Sequence, residues 1–229
     1  MKIKGITDIF FDLDHTLWDF DKNSALAFDK IFKTNQITIT LDDFLFHYQA
    51  INFQYWKLYR DEKIDKEVMR FGRLNDTFLA LNYSMEKEII DKLSIDYISH
   101  LTDNNYLYKD AITILKYLHK HYNLHILSNG FEEVQSKKLS KSNISHYFKT
   151  ITNGESVGVK KPNPQIFHYA IEKAKTTISR SIMIGDGYEA DVLGAMAVGM
   201  DVIYFNEFYK PVEGDIKKIN NLIELKKYL

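Results

Sequence analysis

The 229-residue chain is expected to adopt an α/β fold, a doubly wound parallel sheet interrupted after its first strand by an α-helical insertion. Three observations carry that expectation. A short apolar run, Ile9-Phe10-Phe11, reads as a buried strand near the start of the chain. From about Asn23 to Leu101 the apolar residues recur at helical spacing. From Tyr108 onward short apolar runs alternate with helical segments, the pattern of strands covered on both faces by crossover helices.

Within the insertion, segment 41–59 carries Leu45, Tyr48, Ile51, Tyr55 and Leu58 at spacings of three and four; segment 65–81 does the same with Val68, Phe71, Leu74, Phe78 and Leu81. A further helix follows Ser84, a candidate N-cap, through Ile89, Ile90, Leu93, Tyr97 and Leu101. These stripes can bury one another in a small bundle. The second half reads as helix 110–121, strand 124–127, helix 132–140, strand 149–152, helix 164–175, strand 181–184, helix 190–198 and strand 202–205. A helical module in the crossover after the first strand adds only slowly growing loop entropy, so that strand still joins the later ones in one Rossmann-like sheet. Residues 1–17 and 105–229 are assigned to the core and 18–104 to a helical cap, with hinges at 18–21 and 102–109.

Hydrophobic content of 45% and aromatic content of 14% suffice for a sizeable core. The net charge of −1 and a pI near 6.7 provide no field to gather nucleic acid or a membrane surface, so a small-molecule partner is expected. The absence of cysteine excludes disulfides, thiolate zinc sites and thiol nucleophiles. No leader is read before the first strand and no apolar run matches a bilayer, so a cytoplasmic location is expected. The histidines, His47, His100, His119 and His146 among them, lack ligand spacing, and Lys217, Lys226 and Lys227 read as a solvated helix face.

The chemistry gathers where strands stop. Asp12 and Asp14 follow the first strand directly, and acids at the carboxyl end of a buried strand face a crevice, where a divalent cation and a phosphate would neutralise them. An EF-hand loop is excluded because Leu17 and Asn23 stand where Gly and Glu are needed. Ser128-Asn129-Gly130 ends the next strand and can hold a phosphate or simply cap a helix. In Lys160-Lys161-Pro162-Asn163-Pro164 the prolines stiffen the backbone around Lys161, which suits an anion partner or a basic surface turn. Gly185-Asp186-Gly187-Tyr188-Glu189-Ala190-Asp191 ends a third strand and offers Asp186 as a metal ligand, with Asp191 behind it as a partner of Lys161. A dinucleotide fingerprint, Gly185-x-Gly187-x-x-Ala190 with Glu207 further on, is rejected. Asp186 would bring negative charge toward a pyrophosphate, and the motif does not follow the first strand.

Taken in order, Asp12-x-Asp14-x-Thr16, Ser128, Lys161-Pro162 and Gly185-Asp186 with Asp191 resemble the four motifs of the haloacid dehalogenase-like hydrolases. His15 and Gly187 stand at positions the family leaves variable. The resemblance implies that Asp12 is the nucleophile that forms an aspartyl-phosphate, and that Asp14 protonates the leaving oxygen and then activates water. It also implies magnesium held by Asp12, the backbone carbonyl of Asp14, and Asp186. Ser128, the Asn129 amide and Lys161 would neutralise the phosphoryl oxygens, and Thr16 would also bind substrate. Dehalogenating members lack an acid at the position of Asp14, so phosphoryl transfer is preferred. Leu17-Trp18-Asp19-Phe20 and the stretch 56–74 look like the pyrimidine 5′-nucleotidase branch. The rings Phe20, Tyr55, Trp56 and Tyr59 are then candidates to stack on a base, and Arg73 to bond a pyrimidine carbonyl or the phosphate. The competing expectations are a phosphoglycolate or sugar phosphate phosphatase, a phosphomutase on the same scaffold and, further off, a dinucleotide-binding protein.

Overall fold

The computed structural model describes residues 2–209, 211 and 214–229. The chain runs β1 (Asp8–Phe11), α1 (Phe20–Thr34), α2 (Leu41–Arg60), α3 (Lys66–Ala80), α4 (Lys87–His100), α5 (Ala111–Leu118), β2 (Asn123–Ser128), α6 (Glu132–Lys141), β3 (Phe148–Asn153), α7 (Gly154–Val157), α8 (Pro164–Ala174), β4 (Ser181–Gly185), a π-helical turn (Tyr188–Leu193), α9 (Gly194–Ala197), β5 (Asp201–Phe205), β6 (Lys218–Ile219) and a 3₁₀ turn (Leu222–Lys227). It divides into two compact units, residues 1–20 with 105–229 and residues 21–104. Trp18 to Phe20 therefore lie on the α/β side rather than in the helical insertion, and Trp18 Nε1 donates to Asn105 Oδ1 there at 3.3 Å.

The α/β unit is a six-stranded, all-parallel sheet in the order β3-β2-β1-β4-β5-β6. All four residues of β1 are buried, as a strand covered on both faces requires. Strand order reverses at β1, which pairs Phe11 with Ile126 of β2 and with Ile184 of β4; the crevice for a ligand opens beyond these carboxyl ends. One face packs Phe10, Leu127 and Met183 against Ile166, Phe167 and Ala170 of α8. β6 was not foreseen: two residues, one a lysine, carry no period. Nor was the π-helical turn, where an ordinary helix was expected.

The helical unit has an aromatic core, in which Phe28 stacks on Tyr97 at 4.4 Å and Phe44 lies 4.8 Å from Phe28 and 5.1 Å from Phe78. Thr40 and Asp65 cap α2 and α3 by accepting from the N–H of Asp43 and Val68. Ser84 is not the cap of α4; Glu86 holds that position. Tyr48, Leu74 and Phe78 are buried as their spacing requires, but the rest of the inward faces differs from the expected stripes: Phe44, Asn52 and Tyr59 are buried on α2 and Met69, Gly72, Arg73 and Thr77 on α3, while Val68 is exposed. Gly72 sets the contact between the two helices: a Cβ there would lie 2.4 Å from the Tyr55 hydroxyl, so the bare backbone makes room for the Tyr55 ring, whose hydroxyl donates to Asp76 at 2.7 Å.

At the opposite edge of the sheet from the crevice, a polar network around the buried Asp8 and His125 pins the starts of β1 and β2. Asp8 accepts from Asn123 Nδ2 at 2.9 Å and Thr176 Oγ1 at 2.8 Å and faces His125 Nε2 at 3.1 Å; His125 Nδ1 lies 2.8 Å from Thr150 Oγ1. Burial pushes the His125 imidazole below its usual 6.5, with Asp8 opposing the shift only in part. Burial alone would raise the Asp8 carboxyl, but its hydrogen bonds from Thr7, Asn123, Thr176 and His125 hold it below 3.8. In both cases the unfolded chain binds protons first on acidification, so stability is fully present above 6.5 and falls as the pH drops. In urea unfolding, the stability difference between the unsubstituted chain and His125→Gln should shrink as the pH drops from 7 to 5, which isolates the His125 contribution from that of other titrating groups.

Candidate active site

Asp12 directly follows β1; its N–H is tied to the Ile184 carbonyl of β4 at 2.9 Å and its side chain is nearly buried. The ammonium of Lys161, only 2% exposed, reaches Asp12 Oδ1 at 2.9 Å, Asp191 Oδ1 at 2.6 Å and the Leu127 carbonyl at 2.6 Å. All three of its protons are accounted for. The Asn129 side chain clamps the lysine's backbone, accepting from Lys161 N at 2.8 Å and donating to Lys161 O at 2.9 Å. Asn129, expected to meet a phosphate, thus has its side chain committed to the Lys161 loop.

Asp186 lies just beyond β4. Thr16 Oγ1 donates to Asp186 Oδ1 at 3.2 Å and accepts from the Asp186 N–H at 3.1 Å. Thr16 is fully buried, so this hydroxyl, expected on the substrate, instead fixes an acid. Asp191 Oδ2 accepts from Gly187 N at 2.9 Å, which closes the π-helical turn, with the Gly187 carbonyl bonded by both Asp191 and Val192. A Cβ on Gly185 would sit 2.2 Å from Asp191 Oδ2; glycine is required there by side-chain packing.

Carboxylate oxygens of Asp12, Asp186 and Asp191 lie within 4.8 Å of one another, the arrangement of a hard-cation site. Burial first, then the neighbouring acids, pushes Asp12 up to about 8 against the opposing pull of Lys161, and burial with Asp191 pushes Asp186 up to about 7. Burial would lower Lys161, but Asp12 and Asp191 outweigh it and hold the ammonium above its ordinary range. Three acids against one ammonium leave excess negative charge, so the residues fit a divalent cation.

The Asp14 carboxylate is not in that cluster. It faces α6, accepting from Lys138 Nζ at 2.5 Å and Gln135 Nε2 at 2.9 Å. Gln135 Nε2 also donates to Ser128 Oγ at 2.7 Å, and Ser128 Oγ accepts from Gly130 N at 3.1 Å. Gln135 and Lys138 escaped the sequence reading, although their spacing of three puts both on one helix face directly after the Ser128 loop.

In the helical unit, Arg73 is 2% exposed, donating to Asn52 Oδ1 at 3.0 Å with its guanidinium 5.2 Å from the Tyr97 ring centre. Tyr59 is buried, and Trp56 is half-buried against it at 5.8 Å. Arg73, Tyr59 and, in the α/β unit, Phe20 are buried, whereas Tyr55 and Trp56 are half-buried.

Acids gathered at the switch point of a parallel sheet, where a dinucleotide site would have a glycine-lined turn after its first strand, agree with the class of phosphoric monoester hydrolases. The chain belongs to the haloacid dehalogenase-like hydrolases, whose family model matches residues 8–199. Pyrimidine 5′-nucleotidase YjjG of Escherichia coli is 31% identical over 203 residues, 88% of this chain and 87% of that protein. Glyceraldehyde 3-phosphate phosphatase of Methanothermobacter thermautotrophicus is 27% identical over 221 residues, 93% and 92% of the two chains. The solved structure of the Bacillus subtilis HAD-hydrolase YfnB bound to magnesium matches with a TM-score of 0.89 at 26% identity, covering 98% of each chain. YjjG falls in the branch that the sequence motifs resemble.

Lys161→Met should destabilise the fold by about 3–5 kcal/mol, because it leaves buried acids without their cation. Asp191→Asn in that background should return part of the loss, as measured by urea unfolding.

Proposed function

We propose that the chain is a magnesium-dependent phosphatase of small phosphate monoesters, acting through an aspartyl-phosphate on Asp12 and taking pyrimidine nucleoside 5′-monophosphates as substrates. The observation that carries this reading is Asp12 itself, a carboxylate at the switch point of the sheet, gripped by Lys161 and grouped with Asp186. A carboxylate oxygen of Asp12 bonds to phosphorus as the bond from phosphorus to the ester oxygen breaks, and Asp14 gives that oxygen its proton. Water then attacks phosphorus and yields its proton to Asp14, releasing orthophosphate and restoring Asp12.

Asp12, the Asp14 backbone carbonyl and Asp186 would hold the magnesium, which when bound offsets charge between the nucleophile and the phosphoryl oxygens. Asp191 supports the lysine instead, since its two oxygens already accept from Lys161 and Gly187. Lys161 and Ser128 neutralise the phosphoryl group. The pyrimidine preference is supported by the relationship to YjjG and by Trp56, a half-exposed ring able to stack on a base. A triose phosphate is the second reading, favoured by the relationship to glyceraldehyde 3-phosphate phosphatase.

Phosphate release from an aryl phosphate should vanish in excess chelator and return with magnesium; full activity in chelator would remove the cation from the reading. Asp12→Asn should leave under about one per cent of turnover in a chain that still folds, as checked by circular dichroism, since it removes the nucleophile without changing volume. Across a panel of esters, dUMP and dTMP should outpace purine nucleotides, phosphoglycolate and glyceraldehyde 3-phosphate. Preference for a triose or glycolate ester would shift the substrate while leaving the phosphatase in place.

A further inference from the structure

We propose that Gln135 and Lys138 are positioning residues that aim the Asp14 carboxylate at the leaving group, with Gln135 tying that aim to the Ser128 hydroxyl. The inference rests on the reading of the chain as a phosphatase in which Asp14 protonates the departing oxygen.

Asp14 sits in a tight turn after β1, where the Leu13 carbonyl accepts from the N–H groups of Thr16, Leu17 and Trp18. That turn fixes the backbone but leaves the side chain free to rotate. The two donors on α6 remove the freedom: Lys138 takes one carboxylate oxygen and Gln135 the other, so the plane of the carboxylate is set by a rigid helix. Productive proton transfer demands that the donor stand within hydrogen-bond reach of one particular oxygen, and small misplacements of a reacting group are expensive in rate.

The two donors are themselves held. Lys138 is buried, with its ammonium 4.3 Å from the Trp18 ring centre and 5.3 Å from that of Phe20. A methionine would fill that space without desolvating a charge. It would not grip a carboxylate. Gln135 is fixed by Ser128 on one side and by Gly130 on the other: a Cβ at position 130 would lie 1.9 Å from Gln135 Nε2. Gly130 has no positive φ, so this amide, and not the backbone conformation, is what excludes a side chain there. The amide orientation follows from chemistry, because only the NH₂ end can face a carboxylate. One side chain therefore couples the hydroxyl beside the phosphoryl group to the acid that acts on the leaving group.

The test compares kcat/KM for p-nitrophenyl phosphate, whose leaving group departs unaided, with that for an alkyl ester such as dTMP. Lys138→Met, Gln135→Leu and Gly130→Ala should each lose about ten-fold more on the alkyl ester than on the aryl ester, while Lys138→Arg recovers most of the Lys138→Met loss. In the Asp14→Asn background the same substitutions should add less than about three-fold, because their effect passes through Asp14. Gly130→Ala removes no hydrogen-bonding group but displaces the Gln135 amide, and it keeps the test open if losing Lys138 unfolds the chain. Should Asp14→Asn show the leaving-group difference while the three substitutions lose both esters equally or add fully to it, the inference alone falls. Should Asp14→Asn lose both esters equally, the reading of Asp14 as proton donor falls and takes the inference with it.

Discussion

A single buried ammonium organises the α/β unit. Lys161 lies among Asp12, Asp191 and the Leu127 carbonyl with no solvent to share its charge, and a cation in that position is tolerable only if its acceptors are placed for it. Much of the surrounding chain is explained as the means of placing them. The π-helical turn brings Asp191 back over Gly187, and glycine at 185 makes room for it. Asn129 grips the lysine's backbone from the adjacent strand end. The same ammonium that steadies Asp12 falls short of neutralising the acids around it, and the excess negative charge suits the site to a hard divalent cation.

Two polar systems occupy opposite edges of the same sheet and are built for different ends. At the amino ends of β1 and β2, Asp8 and His125 have hydrogen-bond partners in Asn123, Thr150 and Thr176. At the carboxyl ends the charges are left in excess. A satisfied network holds the strands in register; an unsatisfied one attracts what it lacks. In the helical unit, Arg73 pairs with Asn52 and Tyr55 with Asp76 beside an aromatic core.

What could be read from the sequence divides along physical lines. Strands β1, β2 and β4 were legible because each is a short, mostly apolar run, and Asp12, Ser128 and Asp186 followed because strand ends at a switch point are where ligands sit. The face of a helix was less legible. A single glycine, Gly72, makes room for the Tyr55 ring against α3, a close approach no period count contains. The partners of Asp14 were invisible for another reason: Gln135 and Lys138 stand 121 and 124 residues away, and only the fold brings them together. Thr16 and Asn129 were recognised as site residues, yet their hydroxyl and amide serve Asp186 and Lys161, because short polar side chains beside a charge are often the ones that hold it.

The two tryptophans of the chain fall one in each unit, Trp18 with the sheet and Trp56 in the helical insertion. Their surroundings differ sharply. Trp18 is sealed from solvent with an ammonium 4.3 Å from its ring centre, whereas Trp56 is half open and edge-on to a tyrosine. The molecule therefore carries a built-in pair of optical reporters with distinct emission environments. Exchanging either indole for phenylalanine leaves the other to describe its own unit, so the order in which sheet and insertion melt is open to intrinsic fluorescence without an added dye.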